Sequence, residues 1–243
     1  ENKDIEITYA QTKDSTANTI DLSATGNWTP IGNTWGNEFK GNIVGVVRNE
    51  KGEKVENEKL VIKGLTLNEQ FNAVKNGYLI NCSSTGNMDK VGVGFVAYLG
   101  EDATLSNIVF EDVNVNITDA AMDGISIGVA VGYLDGGTIE NVTVKGGSVK
   151  GVYRVAGLCG AAAWGTIKNC EVANITIEST GTQKGDSTYH AASGIVGYCR
   201  NFAKDAPATH MNIVTDGYIK CTDVTTISKA NKTNVFGDFA SNG

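Results

Sequence analysis

Three acidic residues, Glu101, Asp102 and Asp135, come nearest to a spacing that could support catalysis. Glu101 and Asp135 each stand three residues before a threonine, Thr104 and Thr138, in successive copies of a recurring pattern. If those copies lie side by side, the carboxylates are separated by about 5 Å, the distance used by retaining glycosidases. Any two acids on a solvated edge would show the same spacing, and a solvated edge is the favoured reading. The equivalent turn carries Trp164 in the third copy and a long insertion, Cys199 to Ala208, in the fourth. Trp164, Arg200, Phe202, Asp135 and Tyr198 therefore form a candidate ligand-binding edge, where an aromatic face and hydrogen-bonding groups would suit a sugar. Tyr98, Tyr133 and Tyr198 end successive strands and are expected to pack as an aromatic ladder.

Other chemistry is sparse. His210 occupies a position held elsewhere by Leu105, Ile139 and Ile167, which points it toward the core. His190 falls in an insertion, Ser179 to Ala191, and reads as a solvated loop residue. No Ser/His/Asp or Cys/His constellation emerges, and the glycine motifs do not join a strand to a helix as phosphate loops do. The cysteine count is odd, at five, with no C-x-x-C, which argues against a disulfide framework or zinc site. Buried thiols are expected, with one disulfide between adjacent copies as the alternative. No metal and no cofactor is expected.

The elements that must position these residues are read from an internal repeat. A glycine strand appears as Gly94–Tyr98, Val129–Tyr133, Gly157–Ala161 and Gly194–Tyr198, with a degenerate copy at Asn234–Asp238. Each complete copy is followed by a Thr-x-x-Asn motif: Thr104–Asn107, Thr138–Asn141, Thr166–Asn169 and Thr209–Asn212, with an earlier relative at Tyr78–Cys82. After each Asn, apolar residues alternate with polar ones, as in Ile108, Phe110, Val113, Val115 and Ile117, the signature of a strand with one buried face. Asn tolerates the left-handed backbone of a sharp bend and can hydrogen-bond to an Asn in the next copy. Asn81, Asn107, Asn141, Asn169 and Asn212 are thus expected to form a ladder. The fold class predicted from this pattern is all-β, a right-handed parallel β-helix (β-solenoid) with roughly three short strands per turn. A single domain over 1–243 is expected: an irregular cap at 1–20, a Trp-Pro-Ile-Gly segment at 21–78, and repeated turns at 79–243.

The formal net charge of −7 and the absence of a basic stripe argue against nucleic acid, and less strongly against a polyanionic substrate. No apolar run reaches the roughly 18 residues of a membrane span. No secretory h-region opens the sequence, so any signal peptide is expected to have been removed.

Gly26-Asn27-Trp28-Thr29-Pro30-Ile31-Gly32, then Phe39-Lys40-Gly41, then Leu60 to Leu67 resemble the opening of GLUG-motif β-helix proteins of Bacteroides-type gut bacteria. The glycine strands followed by Ile-x-Asn-Cys or Ile-x-Asn-Val are similar to the GLUG repeat. The resemblance covers roughly Asp21 to Gly237. It departs from that pattern at Asn42 to Lys59, read as a charged, looped insertion. It implies an adhesin-like protein, secreted or on the cell surface, and supplies no catalytic residues. The expected function is non-catalytic presentation of loops to a glycan or protein partner by a monomer, with membrane attachment only through a lipid anchor outside this sequence. A polysaccharide lyase or glycoside hydrolase, and a structural spacer of a larger assembly, are the alternatives.

Overall fold

The computed structural model describes residues 3–32, 38–69, 92–122, 124–182, 190–199, 213–228, 233–234 and 238–239. The first nine strands are β1 (Ile5–Ala10), β2 (Thr19–Asp21), β3 (Asn42–Arg48), β4 (Leu60–Lys63), β5 (Thr66–Asn68), β6 (Gly92–Val93), β7 (Val96–Leu99), β8 (Thr104–Ser106) and β9 (Ile108–Ile117). A single 3-10 turn at Ala120–Met122 separates them from β10 (Ser126–Gly128), β11 (Val131–Glu140), β12 (Thr143–Gly151), β13 (Arg154–Ala156) and β14 (Cys159–Ser179). The chain ends with β15 (Ala192–Ser193), β16 (Tyr198–Cys199), β17 (Ile213–Ser228), β18 (Thr233–Asn234) and β19 (Asp238–Phe239). Among the described residues, no helix is long and apolar enough to cross a membrane.

The strands form one 14-stranded parallel sheet, ordered β1-β3-β8-β11-β14-β12-β9-β4-β2 along its main path, and a five-stranded sheet, β18-β15-β13-β10-β6. The large sheet curls into a nearly closed, barrel-like wall, and this corrects the expected β-helix of three short strands per turn. The physical reason lies at the bends. Asn169, at φ 53°, turns the backbone at a register shift between Lys168 and Cys170, and pairing resumes directly beyond it, so β14 runs for 21 residues through the bend. β17 likewise runs for 16 residues through Gly217, at φ 65°. Two walls that would be separate faces of a solenoid are thereby fused into one sheet.

A single left-handed residue at each bend makes this possible, because it redirects the strand within one residue and lets pairing resume immediately after it. A second left-handed row crosses the sheet at Gly64, Asp112, Gly146, Asn174 and Asp223, with φ between 51° and 75°. It sits between aligned pairs such as Glu111↔Lys145 and Val113↔Gly147, so the whole sheet bends along one line.

Between the bends the alternation expected from sequence holds. Ile20, Ile62, Phe110, Val144, Val172 and Cys221 align strand by strand into one inward row. Ile108, Phe110, Val115, Ile117, Cys170, Val172 and Ile177 are fully buried. The outward row Asp21, Lys63, Glu111 and Lys145 alternates in charge, with Lys145–Glu111 at 3.1 Å. Lys168–Glu140 at 3.1 Å and Lys150–Glu178 at 3.0 Å repeat the device. Exposed pairs contribute little energy each. Their alternation favours the observed register, because a slipped strand would separate these opposite charges.

Two segments differ from the sequence reading. Asn42–Lys59 was expected as a loop, yet it opens with β3, in which Ile43, Val46 and Val47 are buried; β3 pairs with β1 from Ile43 to Arg48 and with β8 at Asn42, Ile43 and Val44. The charged remainder is a short turn closed by an antiparallel bridge, Arg48↔Lys54, in which Asn49 Oδ1 accepts from the Lys51 and Glu53 amides. Residues 1–20, expected as an irregular cap, contain β1 and part of β2. The Trp-Pro-Ile-Gly segment runs beside the glycine strand: Ile31 bridges Val96, and the Trp28 indole stacks on Phe95 at 4.7 Å while donating to its carbonyl.

The small sheet is pressed against the large one through glycines. A Cβ on Gly160 would stand 2.4 Å from the Ile127 amide nitrogen, and one on Gly128 would stand 2.3 Å from the Val131 carbonyl oxygen. Within this sheet the Ser126 and Ser193 hydroxyls are fully buried and, among the described residues, have no hydrogen-bond partner. An unmet buried hydroxyl costs about 1–3 kcal/mol. Ser126→Ala is therefore expected to leave the melting temperature unchanged or raise it by a few degrees in a thermal melt; a fall would show that the hydroxyl is satisfied.

Candidate functional site

The candidate edge is built by the turns that follow the glycine strands. Tyr98↔Tyr133 and Leu99↔Leu134 are aligned, after which β11 bulges and Asp135 comes to lie beside Trp164 of β14. A bulge re-aims side chains, and here it turns Asp135 toward the preceding copy, where its Oδ2 accepts a hydrogen bond from the Tyr98 hydroxyl. Burial, followed by that hydrogen bond, raises the Tyr98 pKa far above its ordinary value, so the phenol remains a donor. Gly136 follows at φ 95°. A Cβ there would stand 2.3 Å from Trp164 Cζ2, so the indole rests directly on the Gly136 backbone.

Glu101 and Asp102 are exposed on the turn after β7, where Asp102 adopts φ 61°. Glu38 pairs with Lys40 at 3.0 Å beside this turn. The Glu38 hydrogen bond raises the Lys40 pKa, and the charge of Glu101 adds to the effect. The edge therefore brings Asp135, Tyr98 and Trp164 together and leaves Glu101 and Asp102 on its solvent side. Sequence reasoning missed Gly136 as the floor of the indole and Glu38 and Lys40 as neighbours. The bulge hides the first, and the second arrive from the distant segment bridged by Phe39↔Leu99.

The tyrosine ladder is incomplete. Tyr98 and Tyr133 stack at 5.1 Å with planes 23° apart. Ala161 aligns next to Tyr133 and interrupts the series before Tyr198. The Arg154 guanidinium instead covers the Tyr198 ring at 3.7 Å, a cation–π contact. Arg200 and Phe202 lie outside the described residues, as does His210.

The asparagine row is internal to the scaffold. Asn107 Nδ2 donates to the Gly45 carbonyl at 2.7 Å and to the Glu58 carbonyl at 3.0 Å, while its Oδ1 accepts from Asn141 Nδ2 at 2.9 Å. Asn169 Oδ1 accepts from the Tyr218 amide at 3.3 Å. The place opposite Asn169 belongs to Gly217, whose added Cβ would meet Asn169 Oδ1. Asn81 and Asn212 lie outside the described residues.

His190, expected as a solvated loop residue, is 5% exposed and meets the Tyr153 ring edge-on at 5.5 Å. Gly181 makes the room, since a Cβ there would stand 2.1 Å from the imidazole. Among the described residues, no group of three or more His, Cys, Asp or Glu side chains converges as a metal site.

Cys159, Cys170 and Cys221 are free thiols. Burial pushes the Cys170 and Cys221 pKa values up to about 11 from an ordinary 9.0. A thiol harder to ionise when folded contributes stability that is complete below about pH 9 and is lost as pH rises through 11. For the well-buried Cys170 the two-unit difference corresponds to roughly 2–3 kcal/mol. Denaturant midpoints are therefore expected to fall between pH 9 and 11, less steeply in Cys170→Ala, and thiol reagents at pH 7.5 should react slowly. Rapid alkylation of Cys170 in the folded protein would contradict this burial.

No protein family, curated protein or solved structure matches the chain.

Proposed function

We propose that this chain is a non-catalytic, secreted or cell-surface binding module, adhesin-like in character, that holds a glycan against the Trp164 rim. The observation that carries the proposal is the partly exposed Trp164 indole, braced on Gly136 beside a carboxylate, Asp135, fixed by the Tyr98 hydroxyl. A rigid aromatic face with a pre-oriented acceptor next to it stacks on a sugar ring and hydrogen-bonds a hydroxyl at little entropic cost. The same hydrogen bond supports a role without acid–base chemistry, because the Asp135 carboxylate is already engaged by the Tyr98 phenol. Kinship with GLUG-motif surface proteins, and attachment through a lipid anchor outside this sequence, rest on the Trp-Pro-Ile-Gly and Ile-x-Asn motifs.

A glycan array with the full chain, repeated with Trp164→Ala, tests the proposal. Truncating a central aromatic should weaken binding more than roughly tenfold. Undiminished binding by Trp164→Ala would remove the rim from the account.

A further inference from the structure

The geometry points to a second binding site, a neutral polar groove on the outer face of the large sheet that takes an extended, uncharged polyhydroxylated chain. Two outward rows form its sides. Thr66, Asn114, Ser148 and Thr176 align across β5, β9, β12 and β14. Asn68, Asn116, Lys150 and Glu178 align two residues further along the same strands. Between the rows Leu67, Val115 and Val149 turn into the core, so the floor is sheet backbone. The cavity they enclose measures ≈ 290 Å³. Four strands at the usual spacing make it about 14 Å long.

Its chemistry is specific. Asn114, Asn116, Ser148 and Thr176 are exposed, and among the described residues their side chains have no internal hydrogen-bond partner. Two amides and two hydroxyls offer both donors and acceptors. Among the described residues that line it, the only charges, Lys150 and Glu178, neutralise each other at 3.0 Å. The groove therefore carries no net charge to attract an ion, and its unpaired groups match a ligand rich in hydroxyls. Asn27 stiffens one end: its side chain accepts from the Asn68 amide at 2.8 Å. Because these groups ride on a continuous ladder, little ordering entropy remains to be lost on binding. The groove shares no residue with the Trp164 rim, and the inference does not depend on that reading.

The test is NMR titration of the full chain with cello-, xylo-, manno- and malto-hexaose, with a galacturonate hexamer as the charged comparison. At least one neutral hexaose should shift the Asn114, Asn116, Ser148 and Thr176 resonances, and the galacturonate should not. Asn114→Ala/Ser148→Ala removes two hydrogen-bonding side chains at exposed positions and should weaken binding roughly tenfold, whereas Trp164→Ala should leave these shifts intact. Absence of groove shifts with every neutral hexaose overturns the inference, even if a glycan is captured at the rim. Binding that survives the double substitution but is lost in Trp164→Ala also overturns it and credits the rim.

Discussion

Replacing Gly132 by Ala is expected to destabilise the protein by about 3 kcal/mol or more, the upper range for forced overpacking. The added Cβ would stand 2.2 Å from the Val93 nitrogen, 2.4 Å from the Gly92 carbonyl carbon and 2.6 Å from its Cα. All three are backbone atoms of β6 and cannot rotate away. The clash falls where the small sheet meets the large one, so relief would require separating the two sheets. Gly26→Ala is the informative comparison, because it has open space around it and only a φ of 80° to strain. That change should cost about 1 kcal/mol. Chemical denaturation of both variants checks the contrast; a Gly132→Ala protein as stable as Gly26→Ala would show that the sheets are not in backbone contact.

The second large effect is expected at Asn107. Asn107→Leu leaves the Gly45 and Glu58 carbonyls and the Asn141 amide without their partners and forces a β-substituted apolar residue to hold φ 60°. An unmet polar group costs about 1–3 kcal/mol and left-handed backbone about 1–2, so a total loss of about 3 kcal/mol or more is expected in this partly solvated setting. Asn107→Gly separates the two contributions, since glycine keeps the backbone conformation and loses only the hydrogen bonds. Its unfolding free energy should fall between wild type and Asn107→Leu. Equal losses in the two variants would assign the whole effect to hydrogen bonding and none to the bend.

These two positions also show what the sequence discloses and what it conceals. The inward faces are legible because Ile108, Phe110, Val113, Val115 and Ile117 alternate with polar neighbours, and all five are buried. The bends at Asn107, Asn141 and Asn169 are legible because one residue type recurs before each run. Where the Asn is missing the pattern breaks. Asn42-Ile43-Val44 aligns with Thr104-Leu105-Ser106, yet Gly45 follows in place of an Asn, β3 runs on through it without a left-handed bend, and the segment reads as a loop. Gly217, in the left-handed conformation, holds the bend that the pattern would give to Asn212. The second left-handed row leaves a fainter trace, the three-residue steps from Phe110 to Val113 and from Val172 to Ile175. Because every strand carries the added residue, the sheet bends there without losing register.

The closure of the sheet is less legible still. Strand pairing follows from repeat alignment, but whether a bend ends a strand depends on one residue's hydrogen bonds. Thus β8 and β9 are separated at Asn107, while β14 passes through Asn169. The rim is legible in part: Asp135 and Trp164 fall in comparable turns. Their partners Tyr98 and Gly136 become identifiable only once the bulge in β11 sets the register. For His190, sequence placed the residue in an insertion but carried no sign of the space left by Gly181.

The most direct test of a non-catalytic glycan-binding scaffold is to incubate the protein with a panel of polysaccharides and measure retention and new chain ends on the same samples. The account predicts that at least one polysaccharide is retained, that retention falls in Trp164→Ala, and that neither reducing nor unsaturated ends accumulate. Accumulation of new ends that tracks protein concentration, or failure to retain any polysaccharide, would contradict it.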